Sequence, residues 1–351
     1  MLRRGKGSAV AMARKAEARR ATLEDVARLA KVSPITVSRA LRKPDTVSDE
    51  LRSRIDNAVM KLGYVPNAAA SRLASNRSHS IGVIVPTLYN VIFAEYLQAL
   101  HEIFLPAGFQ VIVVNSRYSM EEEENAVRTL LGQRVEAVIV VGVDHSPLTR
   151  RLLQQSRIPV IETFQISPNP IGINIGLDHR EAGADATRFL IGRGFRRVGF
   201  LLGQHDMRAT ERLAGYHEAM AGAGLPTDGL VTSIPQTSSI TLGARIMSSF
   251  LSGGKPPEAV FCIDDNLALG AMQECRRSGL GVPTDISIVG FHDLEFAAYA
   301  SPSLSTVNTN RFEMGRLAAE TALGLITSGK RSKPDVIDVG YRIVTRQSTP
   351  A

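Results

Sequence analysis

T-L-E-D-V-A-R-L-A-K-V-S-P-I-T-V-S-R-A-L-R, residues 22–42, is the stretch from which the rest of the chain can be read. Thr22 is placed to cap a first helix, with Asp25 three residues on as its capping-box partner. Leu23, Val26, Ala27 and Ala30 then share one helical face. Lys31 and Val32 make a turn, Ser33 is the next N-cap, and Pro34 occupies a first helical position, where its missing N–H costs nothing. Val37, Ala40 and Leu41 continue the apolar face, leaving Pro34, Ile35, Thr36, Ser38, Arg39 and Arg42 outward. The pattern fits a helix-turn-helix whose second helix enters the DNA major groove, or, on these two helices alone, an ordinary helical hairpin.

The next residues separate the two. Val47-Ser48-Asp49-Glu50 starts a third helix, acidic in its first turn, that runs to Leu62 and stops at Gly63. L-G-Y-V-P-N-A-A-A-S-R-L-A-S follows at residues 62–75. Taken together, T-L-x-D-V-A, V-S-x-x-T-V-S-R, V-S and G-Y-x-P-N-x-x-A-x-x-L resemble the DNA-binding headpiece of the lactose-repressor (LacI/GalR) family.

That resemblance implies sequence-specific binding of double-stranded operator DNA by a homodimer. Ser33, Thr36 and Ser38 would position the protein on phosphates, with Thr22 at the start of the first helix. Pro34 and Ile35 can touch a thymine methyl, and Arg39 can pair with guanine. Residues 67–75 have helical propensity but only about two turns, too few to be stable alone. In the family such hinge helices pair on the operator and a leucine wedges into the minor groove, so Asn67, Ala70 and Leu73 fall at the DNA.

The charge distribution agrees. Residues 1–80 carry 17 Lys/Arg against 7 Asp/Glu, so of a net charge of +7 the N-terminal part supplies +10 and the remainder −3. Such a localised excess suits phosphate. Residues 1–20 read as a disordered basic arm, with Met12 an alternative start. They contain no apolar run of signal-peptide length, and no membrane-spanning stretch follows, so a cytoplasmic protein is expected. Cys262 and Cys275 lack zinc or C-x-x-C spacing and read as buried free thiols. The domain plan is therefore a headpiece over 21–66, a hinge over 67–79 and an effector-binding, dimerising core over 80–351.

In that core short apolar runs at 81–85, 109–114, 137–141 and 158–161 alternate with helix-length segments, and after Asp178 the rhythm restarts with runs at 197–202, 231–234, 259–263 and 286–289. Two such sets predict two doubly wound parallel-sheet subdomains, roughly 80–178 and 179–305, with the C-terminal segment crossing back. Ligands in such sheets bind beyond the strands' carboxyl ends. The family has this periplasmic-binding-protein-like α/β core, with its small-molecule effector in the cleft between subdomains. Tyr89, Asn90 and Phe93 follow the first strand; Asp264, Asp265 and Asn266 follow another, Asp265 reading equally as a helix cap; His292 follows a third, or is a surface histidine. Arg212, in R-L-A-G-Y, matches the segment whose arginine contacts effector in the family.

F-A-E, V-F-C-x-x-D-x-L-A-x-G-A-x-x-E-C, G-F-H and Glu162 resemble the gluconate-utilisation repressors within the family. Phe164 stands where many members have aspartate, and Asp264 where asparagine is common. An anionic edge of Glu162 and Asp264 would oppose a carboxylate unless Arg212 offsets it. A sugar acid is the favoured effector, with a neutral or phosphorylated sugar open, and either induction or corepression by it. No metal or cofactor is expected. A transport protein would start with a secretory segment and lack the headpiece, and an enzyme would need a catalytic constellation such as G-x-S-x-G or a Walker loop, which the sequence lacks.

Overall fold

The computed structural model describes residues 21–65, 77–203, 206–253, 256–329 and 333–350. The basic arm and the expected hinge positions Asn67, Ala70 and Leu73 lie outside these residues. Contacts divide the chain between Arg77 and Ser78 into a headpiece and a core.

Capping chemistry sets the headpiece helices. α1 (Leu23–Ala30) starts at Thr22, whose hydroxyl accepts from Asp25 N at 3.3 Å while the Asp25 carboxylate accepts from Thr22 N at 3.0 Å. Lys31 ends it in the left-handed region (φ 53°). Ser33 then caps α2 (Pro34–Arg42), its Oγ accepting from Thr36 N at 3.2 Å. A single 3-10 turn, Pro44–Thr46, leads to α3 (Asp49–Leu62), capped by Ser48 and closed by Gly63. Val26, Val37 and Ile55 are wholly buried, and Ala27, Ala30, Ala40 and Ala58 keep the helices close around them. Each buried branched side chain contributes about 1.5–3 kcal/mol.

In the core, β1 (Ser80–Val85), α4 (Ile92–Phe104), β2 (Gln110–Asn115), α5 (Met120–Gly132), β3 (Ala137–Val141), α6 (Pro147–Gln155), β4 (Val160–Gln165) and β5 (Ile173–Leu177) come first. There follow α7 (His179–Gly192), β6 (Val198–Leu202), α8 (Met207–Gly222), β7 (Val231–Ser233), α9 (Ile240–Ser252), β8 (Ala259–Cys262), α10 (Asp265–Arg277), β9 (Ser287–Val289), α11 (Glu295–Tyr299) and β10 (Thr306–Asn308). The last elements are α12 (Arg311–Ser328), β11 (Asp335–Asp338) and β12 (Arg342–Val344). One sheet has the order β11-β5-β4-β3-β1-β2 and the other β7-β6-β8-β9, with every neighbouring pair parallel; β10 and β12 pair antiparallel. β1 and β3 are buried at every residue, as continuous apolar runs in parallel sheets require.

β5 carries no strand signal because two of its five residues disfavour strands. Both have local reasons. Asn174 Nδ2 donates to Glu162 O at 3.1 Å and Gln165 O at 2.8 Å. A Cβ at Gly176 would lie 2.6 Å from the Gln165 carbonyl carbon.

The chain passes between the two sheets after β5, after β10 and after β11. Asn310, in the left-handed region (φ 50°), joins the last two crossings by donating from Nδ2 to Val339 O at 2.9 Å. Strand order reverses between β1 and β3 and between β6 and β8, so both ligand-binding switch points open at the carboxyl ends of those strands.

Candidate functional site

Those strand ends border a small cavity, partly open to solvent, between the two subdomains. From the first subdomain Asn90, Phe93, Tyr118 and Phe164 line it; from the second come Asp206, Arg208, Arg212, Ser238, Asp264 and His292. The cavity thus brings together Asn90, Phe93, Arg212, Asp264 and His292 of the residues anticipated from sequence.

Its charge comes mainly from the start of α8. Asp206 caps that helix, Oδ1 accepting from Ala209 N at 2.8 Å, while Oδ2 takes Arg208 Nε at 3.1 Å and Nη2 at 2.6 Å. Burial pushes the Asp206 carboxyl up, but the Arg208 and Arg212 charges outweigh it and hold it below the usual range. Arg212, one turn on, faces the same way and is 5 % exposed. Its Nε has no hydrogen-bond partner, and among the described residues it makes no ion pair. Its one polar contact among the described residues is long, Nη1 to His292 Nε2 at 3.5 Å, and its guanidinium lies 4.5 Å from the Phe291 ring centre. Burial pulls its pKa down to about 10. Asp206 and Asp264 act on its charge through space, but neither carboxylate contacts it directly, so a ligand anion has an unclaimed guanidinium to meet.

His292 is buried rather than at the surface. Burial and the Arg212 charge push its pKa well below the ordinary value, so it is neutral. Because Arg212 can only donate, Nε2 is the acceptor and Nδ1–H donates to Thr309 Oγ1 at 3.2 Å. The loop holding it is strained, with His292 at φ 103° and Asp293 at φ 55°. Asp265 clamps this loop: Leu294 N donates to its Oδ2 at 2.7 Å and Thr306 Oγ1 to its Oδ1 at 2.6 Å. A Cβ at Gly290 would sit 2.1 Å from that Oδ1. The helix cap is Asp264, not Asp265: its carboxylate accepts from Leu267 N at 2.9 Å.

Two anticipated effector residues lie elsewhere. Glu162 lines no part of the cavity. It shares the face of Val160, accepts from Ile171 N and from Gly172 N at 3.3 Å, and stands 3.6 Å from His145 Nε2. Phe164, at φ 76°, breaks the strand alternation and turns its ring to the opposite face, against Phe93 and Tyr96. The anionic edge expected from Glu162 therefore does not form. Tyr89 is 73 % exposed and lies with Thr87 along a shallow groove beside Pro235, Gln236 and Ser239. Asn90 reaches across the cleft, its Oδ1 accepting from Asn266 Nδ2 at 3.3 Å as well as from Ile92 N at 3.1 Å.

Sequence reading missed Tyr118, Asp206, Arg208 and Ser238. Arg208 stands four residues before Arg212, a spacing that marks one helical face. Tyr118 follows β2, where the strand-end rule applies.

In the headpiece, Pro34, Ile35 and Arg39 project into solvent on α2, with Ile35 72 % exposed. Ser33 and Thr36 share a hydroxyl contact of 2.8 Å, and Arg42 Nη2 donates to Ser38 Oγ at 2.7 Å. The Thr22 hydroxyl is engaged with Asp25 at 2.7 Å. Among the described residues no three His, Cys, Asp or Glu are grouped to hold a metal, and no helix is long and apolar enough to cross a membrane.

Comparison with known proteins covers both parts. Residues 22–67 match bacterial regulatory proteins of the lacI family, and residues 187–349 match a periplasmic binding protein-like domain. The HTH-type transcriptional regulator GntR of Pseudomonas aeruginosa is 38 % identical over 94 % of this chain and 96 % of its own length. A LacI-family regulator from Silicibacter pomeroyi superposes with a TM-score of 0.87 at 29 % identity, covering 94 % of this chain and all of that one. The lac repressor dimer, solved with operator and the anti-inducer ONPF, gives 0.79 at 26 % identity over 95 % of this chain and all of that one. From the capped helix-turn-helix to the double-sheet core, the chain belongs to the lacI family of bacterial regulatory proteins.

Proposed function

We propose that this regulator is a homodimeric repressor that leaves a near-palindromic operator when a sugar monocarboxylate of the gluconate type fills the cleft. The observation that carries the effector class is Arg212, buried, lining the cavity and, among the described residues, without a direct ion pair. Asp206 is already committed to Arg208, and burial pushes the Asp264 carboxyl up, which weakens its opposition to a bound anion. A ligand carboxylate can contact Arg212 directly, as neither Asp206 nor Asp264 does, and hydroxyls are met by Asn90, Ser238, Asp264 and His292. Phe93 and Phe164 offer apolar faces to the carbon chain.

On DNA, α2 carries the readers: Pro34 and Ile35 toward thymine methyls, Arg39 toward guanine, with Ser33, Thr36 and Ser38 near phosphates. Thr22 serves chiefly as a cap. The hinge residues Asn67, Ala70 and Leu73 complete the operator contact. A ligand gripped by both subdomains favours a closed cleft, rotates them about the three crossings and separates the paired hinges. Effector and operator affinities are then reciprocally coupled. The work of such a protein lies in the cytoplasm, without turnover of its effector.

The test is retention of labelled DNA from upstream of its own and neighbouring genes, titrated with gluconate, related acids and neutral sugars. Release by an acid and not by the matching neutral sugar supports the reading. Tighter retention with acid makes the ligand a corepressor, and release by a neutral sugar alone overturns the role given to Arg212.

A further inference from the structure

Beside the Asp206–Arg208 pair lies a second cavity, partly open to solvent, at the carboxyl ends of β3 and β4. Tyr118, Asp206 and Arg208 line both cavities, so the two share a wall. Their chemistry differs. Among the described residues, Arg208 is the one basic side chain lining the second cavity, and it is already held by both hydrogen bonds to Asp206. Gln165, at the end of β4, is 8 % exposed, and its amide oxygen has no hydrogen-bond partner. Its backbone cannot move away, because Asn174 Nδ2 binds its carbonyl at 2.8 Å. An unsatisfied buried acceptor calls for a donor. Asp144 adds a carboxylate acceptor, Val141 and Val143 an apolar surface, and the Tyr118 ring a flat one. Acceptors combined with apolar and aromatic faces suit a neutral sugar ring, which presents hydroxyl donors at its rim and C–H groups on its faces.

We infer that the second cavity is a glycosyl subsite, so that the cleft takes an acid extended by one sugar unit: carboxylate at Arg212, ring over Tyr118, hydroxyl to Gln165. This rests on the carboxylate reading of Arg212. The chain's own contribution to specificity is then the spacing between one unpaired cation and one unpaired amide oxygen, on opposite sides of the Asp206–Arg208 pair.

The experiment is titration calorimetry of the full chain with gluconate and with lactobionate and melibionate, in which galactose is joined to gluconate through different oxygens. At least one disaccharide acid is expected to bind about tenfold more tightly than gluconate, as one added buried hydrogen bond and ring contact would give. Gln165→Leu removes that gain, and Val143→Phe, which narrows the second cavity alone, does the same by bulk. Gluconate binding in both variants reports that the first cavity is intact. The inference is overturned when neither disaccharide acid binds more tightly than gluconate, or when their advantage survives both substitutions. If no acid binds, gluconate included, the carboxylate reading of Arg212 has failed and the subsite falls with it.

Discussion

Replacing Arg212 by methionine should do two things that rarely go together: stabilise the ligand-free core and abolish the effector response. The guanidinium is 5 % exposed and its pKa falls from 12.5 to about 10. At about 1.36 kcal/mol per unit, the charged form is about 3 kcal/mol worse off here than in water. Methionine has similar length, packs against Phe291 and needs no partner. Removing buried charge in favour of apolar volume is worth about 1–4 kcal/mol in comparable cases, so a gain of about 1–3 kcal/mol is expected. For a domain of this size that raises Tm by roughly 2–4 °C per kcal/mol. The same change deletes the anion partner, and loss of a buried charge-assisted pair costs about 2–5 kcal/mol, at least roughly thirtyfold in affinity. Calorimetric melting of the ligand-free protein, gluconate titration and operator retention read the three consequences: higher Tm, no acid binding, unchanged operator affinity that acid no longer lowers. A variant that melts earlier yet still binds acid would refute the reasoning, because Arg212 would then be satisfied within the protein itself.

Three further substitutions probe separate parts. His145 is buried, which alone would lower its pKa, but Glu123 at 2.8 Å and Glu162 at 3.6 Å hold it up at about 9 against an ordinary 6.5. The folded state therefore keeps this proton longer than the unfolded state. About 3 kcal/mol of stability is present below pH 6.5 and lost as pH rises through 9. Urea unfolding across that window should show the decline, and His145→Gln should flatten it. In Gly290→Ala the new Cβ meets Asp265 Oδ1 at 2.1 Å, so the clamp on the His292 loop must shift. Weaker acid binding with headpiece hydrogen exchange unaltered is the expected result. Ser33→Ala removes the α2 cap, costing about 1 kcal/mol. Faster amide exchange confined to α2 and its neighbours, with calorimetric acid binding intact, would bear this out.

The headpiece could be read from sequence because its determinants are local. Caps at Thr22, Ser33 and Ser48 act within three residues, and the apolar face repeats within one turn, so propensity and periodicity are enough. The parallel strands were legible for the same reason: β3 is an unbroken apolar run, and β1 carries no polar side chain from Ile81 to its end. The cleft was only partly legible. Arg212 and Asp264 could be placed at a strand end or helix start, but not the partners they lacked or found. Glu162 and Phe164 differ by two positions and should share a face; one left-handed residue sends the ring to the cavity and leaves the carboxylate on the far side, beside His145. β5 stays hidden because its asparagine and glycine answer to β4, not to strand propensity. Whether a buried charge is paired, and which wall it faces, depends on residues far apart in the chain: Asp206 claims Arg208 while Arg212 is left open, and only the packed fold decides that.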